Sequence, residues 1–232
     1  MEKQKYAAIV LAAGSGKRMN SKVHKQYLII QDRPVLYYSL KAFEDSAVDE
    51  IVLVVGKGEE KFCRKEIVDK YGISKVKAIV EGGKERYHSV FEGLKQTSDA
   101  DYVLIHDGAR PFVNQDIIRR CMQEVQKYQA CVVGMPVKDT IKIADEEGYA
   151  KQTPDRKNVW MIQTPQTFSY ALIYEAYGEM LKTEDTAITD DAMVLERIKG
   201  KKSKLIEGSY RNIKITTPED LLIANVYLQH PE

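Results

Sequence analysis

The sequence predicts an α/β fold, a mostly parallel sheet wrapped by helices, with a β-hairpin arm projecting late in the chain. Three observations carry this. Short apolar runs rich in β-branched residues alternate with longer amphipathic stretches. The runs are solid apolar blocks, the pattern of strands buried on both faces. After Pro136 the rhythm changes to two short extended pieces around a turn.

Taken in order, the first strand is expected at 6–11. Its apolar run ends at Gly14-Ser15-Gly16, too short for a secretion signal, and reads as a buried strand. Pro34 suits a first helical position and predicts a helix over 34–44. Strand 50–55, helix 59–71, strand 76–80, helix 85–95 and strand 102–106 follow. Asn114 suits the N-cap of a helix over 115–128, and strand 130–135 comes next. Extended pieces at 139–143 and 149–153 flank Asp145-Glu146-Glu147-Gly148, giving an arm over about 138–156. Two strands are marginal alone in water, so the arm is expected to lean on something, a second subunit being one option. Helices over 169–181 and 190–199, a strand at 204–207 and a helix over 218–228 close the chain. No repeat or linker interrupts it, and 232 residues suit one domain, 1–232, with a modest appendage.

Composition narrows the function. Basic residues number 35 and acidic residues 34, a net charge of +1, so no global field recruits nucleic acid or a membrane surface. Any anion site must be local. Cys63, Cys121 and Cys131 are far apart and odd in number, which argues against a disulfide framework or structural zinc and fits a reducing cytoplasm. No stretch approaches the ~18 apolar residues that span a bilayer, so a soluble protein is expected.

The chemistry concentrates where strands end. The first strand runs into Leu11-Ala12-Ala13-Gly14-Ser15-Gly16-Lys17-Arg18-Met19. Small residues let the backbone approach a bulky anion, and amides at a following helix start can face phosphate oxygens. The spacing matches neither a P-loop nor a dinucleotide fingerprint, and an ordinary glycine-rich turn remains an alternative on the glycines alone. Arg18, and Lys25 within His24-Lys25-Gln26-Tyr27, favour the anion reading: displacement at a phosphate builds negative charge that fixed cations stabilise. Gly82-Gly83 with Ser89 permits close approach to a flat base, or is a tight turn into a helix. Asp107, ending a strand in His106-Asp107-Gly108-Ala109-Arg110-Pro111-Phe112, is placed for Mg²⁺, which takes one or two carboxylates plus phosphate oxygens and water; an ion pair with Arg110 is the alternative. His106 reads as a structural neighbour. Arg156, closing the arm, suits a phosphorylated acceptor or is a surface charge. Thr189 offers a hydroxyl near a helix start or simply caps it, and Lys214 is a further phosphate contact or a solvated lysine.

Together the ordered blocks LAAGSGKRM, HKQY, EGGKER, HDGARPF, PVKDTIK, TPQTF, AITDDA and NIKITTPEDL resemble the 2-C-methyl-D-erythritol 4-phosphate cytidylyltransferases along nearly the whole chain. The resemblance implies a Rossmann-like nucleotidyltransferase fold and a homodimer formed through the arm. It implies magnesium, CTP and methylerythritol phosphate as substrates, and a step of the non-mevalonate isoprenoid route. By position, Arg18 and Lys25 would stabilise the transition state, while Arg156 and Lys214 would place the acceptor phosphate. Asp107 would hold magnesium. Ala12, Ala13, Gly14, Gly82, Gly83 and Ser89 would surround CTP, with Thr140, Arg156 and Thr189 on the acceptor side. Thr140 and Arg156 lie on the arm, so they would serve the partner's site. Two positions depart from the commonest pattern: Lys84 stands where many members carry an acid, and Leu11 where proline is also common. A ribitol-5-phosphate cytidylyltransferase is the nearest rival, disfavoured by Ala13, Ala109 and the PVKDTIK arm. A non-catalytic nucleotide-binding domain would explain the glycine loop, but not Arg18, Lys25, Asp107, Arg156 and Lys214 together.

Overall fold

The structure, a computed structural model, describes residues 3–14, 23–183 and 187–230. Seven strands form the central sheet: β1 (Tyr6–Ala12), β4 (Glu50–Val55), β5 (Val76–Glu81), β6 (Tyr102–Asp107), β7 (Ala130–Pro136), β10 (Trp160–Ser169) and β11 (Lys204–Glu207). Their order is β11-β7-β10-β6-β1-β4-β5. β1 pairs parallel with β4 and β6, β4 with β5, and β11 with β7. Only β10 runs antiparallel, between β6 and β7. The sheet is thus mostly parallel, as the solid apolar runs imply.

The reason for those solid runs is visible in β4. Ile51, Leu53 and Val55 face one core and Val52 and Val54 the other, so neither face meets water. The first core is closed by Leu36, Leu40 and Phe43 of α1 (Val35–Glu44) and Ile117, Ile118, Cys121 and Val125 of α4 (Gln115–Tyr128). The second takes Val90 and Leu94 of α3 (Arg86–Leu94), Ile173, Ala176 and Tyr177 of α5 (Tyr170–Met180), and Val194 and Leu195 of α6 (Asp191–Lys199). A third, small cluster of Ile30, Val35, Ile215 and Ala224 seats α7 (Pro218–Gln229) against the hairpin of β2 (Ile29–Ile30) and β3 (Arg33–Pro34). No helix among the described residues is long and apolar enough to cross a membrane.

Four details differ from the sequence expectations. Pro34 is the extended residue before α1 rather than its first helical residue, because it pairs with Ile29. The helix expected over 59–71 begins as α2 (Glu60–Phe62) and continues as a π-helix over Cys63–Asp69. The arm is a shorter ladder than expected, β8 (Ile143–Ala144) against β9 (Ala150–Gln152). The ten-residue β10 was not anticipated at all, since Gln163-Thr164-Pro165-Gln166 interrupts its apolar pattern and proline ordinarily demotes a strand. The chain accommodates Pro165 by a register shift between Ile162 and Gln166.

Candidate active site

A cavity of about 380 Å³ opens at the C-terminal ends of β1, β5 and β6, where an open α/β sheet places its ligands. Ala12, Ala13, Gly14, Lys25, Gly83, Ser89, Asp107 and Lys214 line it. Arg18 lies outside the described residues. Gly82 sits directly beneath the lining, and the cause of both glycines is internal packing. A Cβ at 82 would stand 2.5 Å from Ala13 Cβ, and one at 83 would stand 2.3 Å from His88 Cβ. The glycines therefore seat the β5–α3 loop against the β1 loop and the first turn of α3. Ser89 locks that turn: its hydroxyl accepts from Gly83 N–H at 3.1 Å and donates to the Glu85 carbonyl at 3.2 Å.

Lys25 is drawn in from a one-turn 3₁₀ helix, Lys25–Tyr27. Its ammonium donates to the Ile215 carbonyl at 3.0 Å, beside Lys214. Ile215 N–H in turn donates to the Ala109 carbonyl at 2.8 Å, and buried Gln26 donates to the Ala12 carbonyl. Segments far apart in sequence are thereby stitched around one mouth.

Asp107 is the electrostatic centre. Lys214 Nζ lies 2.9 Å from Oδ2, Arg86 Nε 3.5 Å from Oδ1 and Arg110 Nε 3.6 Å from Oδ2. Burial pushes this carboxyl up, but Lys214, Arg86 and Arg110 more than offset it and hold it well below the usual carboxylate range. Asp107 thus stays ionised. The Asp–Arg110 ion pair expected as an alternative to a ligand role is present, beside two further cations, Lys214 and Arg86. Arg110 is held in place by donating to the Asn212 carbonyl at 2.8 Å. His106 is wholly buried, with Nδ1 2.9 Å from Thr164 Oγ1, and burial pulls it down to about 4.

A second cavity, about 320 Å³, adjoins the first and shares Arg86, Asp107 and Lys214 with it. Thr189 and Arg110 line it. Thr189 is not the helix cap: that role falls to Asp190, whose carboxylate accepts from Met193 N–H at 2.9 Å, while Thr189 lines the cavity with its hydroxyl donating to Met193 Sδ at 3.7 Å. Across both cavities the described residues place five basic side chains, Lys25, Lys84, Arg86, Arg110 and Lys214, against three acidic ones, Glu85, Asp107 and Asp190. A chain of near-zero net charge therefore concentrates positive charge here. Thr140 and Arg156 line neither cavity. Both are exposed on the arm, and Arg156 donates to the Lys138 carbonyl at 3.0 Å at its root. A larger groove, about 550 Å³, lies near the start of β1 between α1 and α4. Its one arginine, Arg119, pairs with Asp116, so it offers little to a phosphate.

Sequence reasoning assigned no role to Arg86, Thr164, Gln166 or Asp191. Thr164 Oγ1 accepts from Asp107 N–H at 3.1 Å. Gln166 Oε1 accepts from the N–H groups of Asp191 and Ala192 at 3.0 and 2.9 Å. Arg86 joins Asp107 to Asp191. The available signal was a set of polar residues inside otherwise apolar strand and helix starts, in EGGKER, TPQTF and AITDDA.

The donor set also bears on a metal. Among the described residues no group of three or more His, Cys, Asp or Glu side chains is placed to hold an ion. A lone ionised carboxylate fits Mg²⁺ only if the ion takes its remaining ligands from phosphate oxygens and water, which is its habit.

Comparison with known proteins places the chain in a family. The sequence profile of the family IspD, 2-C-methyl-D-erythritol 4-phosphate cytidylyltransferase, matches residues 6–230. A protein of that name from Lachnospira eligens is 54% identical, over 96% of this chain and 98% of its own. Another from Lachnoclostridium phytofermentans is 50% identical, over 97% of each chain. The crystal structure of the 4-diphosphocytidyl-2C-methyl-D-erythritol synthase of Anaerococcus prevotii superposes with a TM-score of 0.86 at 38% identity, covering 98% of this chain and 97% of that one. On the profile match and these relatives, the chain belongs to the 2-C-methyl-D-erythritol 4-phosphate cytidylyltransferase family.

Proposed function

We propose that the chain transfers the cytidylyl group of CTP to the phosphate of 2-C-methyl-D-erythritol 4-phosphate, releasing pyrophosphate in the non-mevalonate isoprenoid route. The observation that carries this reading is the pair of adjoining cavities meeting at Arg86, Asp107 and Lys214. One is floored by loops held close by glycine, as a nucleotide needs. The other offers Thr189 and Arg110, as a phosphorylated polyol needs.

The acceptor phosphate, with a second pKa near 6, is ionised at neutral pH and is itself the nucleophile. It attacks the α-phosphorus of CTP in line. One phosphorus–oxygen bond forms as the bond to pyrophosphate breaks, and no covalent enzyme intermediate is required. Catalysis is then positioning and charge neutralisation. Lys25 faces the growing charge, joined by Arg18 on the sequence reading. Lys214 stands where it can leave Asp107 for a phosphate oxygen. Asp107 would hold Mg²⁺, which would neutralise charge on the triphosphate. Arg156 and Thr140 would complete a neighbouring subunit's acceptor cavity. Ile141, Ile143 and Tyr149 are exposed apolar residues on a hairpin too small to stand alone, which supports dimerisation through the arm. Cys63, Cys121 and Cys131 are buried and unbridged, in keeping with a reducing cytoplasm.

Pyrophosphate release with CTP and Mg²⁺, measured across an acceptor panel, tests the proposal. Methylerythritol phosphate should be the preferred acceptor. Faster release with ribitol 5-phosphate would overturn the acceptor assignment, and CTP binding without release on any acceptor would favour a binding module.

A further inference from the structure

Asp191 is the first residue of α6 and its side chain is fully buried, yet it touches neither cavity. Both its oxygens are engaged. Arg86 NH1 donates to Oδ1 at 2.7 Å and NH2 to Oδ2 at 2.8 Å, a two-pronged pair. The fully buried Tyr177 hydroxyl adds a third bond, donating to Oδ1 at 2.6 Å. Gln166 fixes the backbone beneath, and so ties α6 to β10.

This occupies the end-on fork of Arg86, one N–H on each terminal nitrogen. Both terminal nitrogens are joined to Asp191, and Nε reaches Asp107 at 3.5 Å. Arg86 thus lines both cavities with its end-on fork already engaged. Its charge is shared, most of it answered by Asp191. Asp107 is consequently left with longer, single contacts to two arginines and a shorter one to Lys214.

We propose that Asp191 is a positioning residue: by holding Arg86 in a buried pair it keeps Arg86 from closing on Asp107, and so keeps that carboxylate open to the metal–nucleotide complex. The proposal rests on the reading of Asp107 as the magnesium-holding acid. Without the Asp191 charge, a buried guanidinium would be left with one carboxylate in reach and would take it in a fork. Asp107 would then be satisfied by protein alone. Residues that orient a metal ligand from behind typically change metal affinity or activity by about 10–100-fold.

The test is a double-mutant cycle on CTP affinity, measured by calorimetry in Mg²⁺, with the thermal midpoint recorded for each variant. Asp191→Asn should weaken CTP about ten-fold. Adding Arg86→Gln removes the charge that Asp191 restrains and leaves an amide–amide pair, so D191N/R86Q should regain most of the lost affinity. R86Q alone should cost less than D191N. If D191N fails to fold, the double variant is read against wild type: affinity near wild type supports the proposal, and a loss of about ten-fold or more overturns it. A double variant as weak as D191N or weaker would overturn the proposal, as would R86Q being the more damaging single change. Wild-type protein in EDTA tests the metal reading by itself: undiminished CTP affinity there sinks magnesium at Asp107, whereas failure of recovery in the double variant sinks the role of Asp191.

Discussion

Gly82→Ala tests whether the β5–α3 loop sets the nucleotide's place. The new Cβ would lie 2.5 Å from Ala13 Cβ and 2.6 Å from Ser89 Oγ. Carbon atoms pack at about 3.5–4.0 Å, so the two loops must part by roughly 1 Å. Neither neighbour can swing aside. Ala13 has no further torsion, and Ser89 Oγ is held by Gly83 N–H and the Glu85 carbonyl. Overpacking of this kind costs about 1–3 kcal/mol, a fall of a few degrees in the thermal midpoint for a chain of this size. A shift of about 1 Å in positioning elements can cost about 100-fold in rate. The expected outcome is a kcat/KM for CTP lower by about two orders of magnitude, with a much smaller change in the acceptor KM. Pyrophosphate-release kinetics and a melting curve read both. A lower midpoint with unchanged CTP kinetics would place the nucleotide elsewhere, and no change in either would refute the packing argument.

Three further outcomes are expected. Lys25→Ala and Arg18→Ala should cut kcat far more than they weaken CTP binding, and equal losses in the two would contradict a transition-state role. Arg156→Ala should raise the acceptor KM; if the arm acts across a dimer, mixing Arg156→Ala with Lys214→Ala, at an acceptor concentration where each alone is nearly silent, should restore about a quarter of wild-type activity through mixed dimers, whereas an arm serving its own subunit restores none. Stability should fall with acid through His106: neutral His106 is favoured in the fold, where burial holds it at about 4 against about 6.5 unfolded, so its contribution is complete above about 6.5 and is lost as pH falls toward 4, a difference of about 3 kcal/mol. Urea midpoints between pH 7 and 4 would show this, and a His106→Asn protein with the same slope would assign the loss to other groups.

The parallel half of the fold was legible because burial on both faces writes an unbroken apolar run, as in residues 51–55 of β4. The cavity-lining small residues were legible because a glycine pair after a strand has few other uses, although their use here is internal: Ala13, Ser89 and His88 leave no room for a Cβ. What was not legible depended on partners distant in sequence. Nothing local to Asp191 says that Arg86, 105 residues earlier, completes its hydrogen bonds. Thr164 and Gln166 were hidden for another reason. They sit in the irregular stretch of β10 that admits Pro165, so the same polar residues that serve the site erased the strand's pattern.

That one antiparallel strand also explains where the arm goes. β7 ends at Pro136, and β10 begins at Trp160 directly opposite it in the register. A parallel successor to β7 would have required a crossover back to the other end of the sheet. An antiparallel one lets the chain leave and re-enter at the same edge, the edge where β1, β5 and β6 end in the first cavity. The connection therefore emerges beside the active site as two short strands paired with each other. Val137 N–H bonding to the Val159 carbonyl, and Lys138 over the Tyr210 ring at 3.5 Å, fix the root and aim it outward. Thr140 and Arg156, near that root, belong to neither of the chain's own cavities. A threonine and an arginine at the root of a short two-stranded arm, outside the chain's own cavities, fit the proposal that the arm completes the acceptor cavity of a neighbouring subunit.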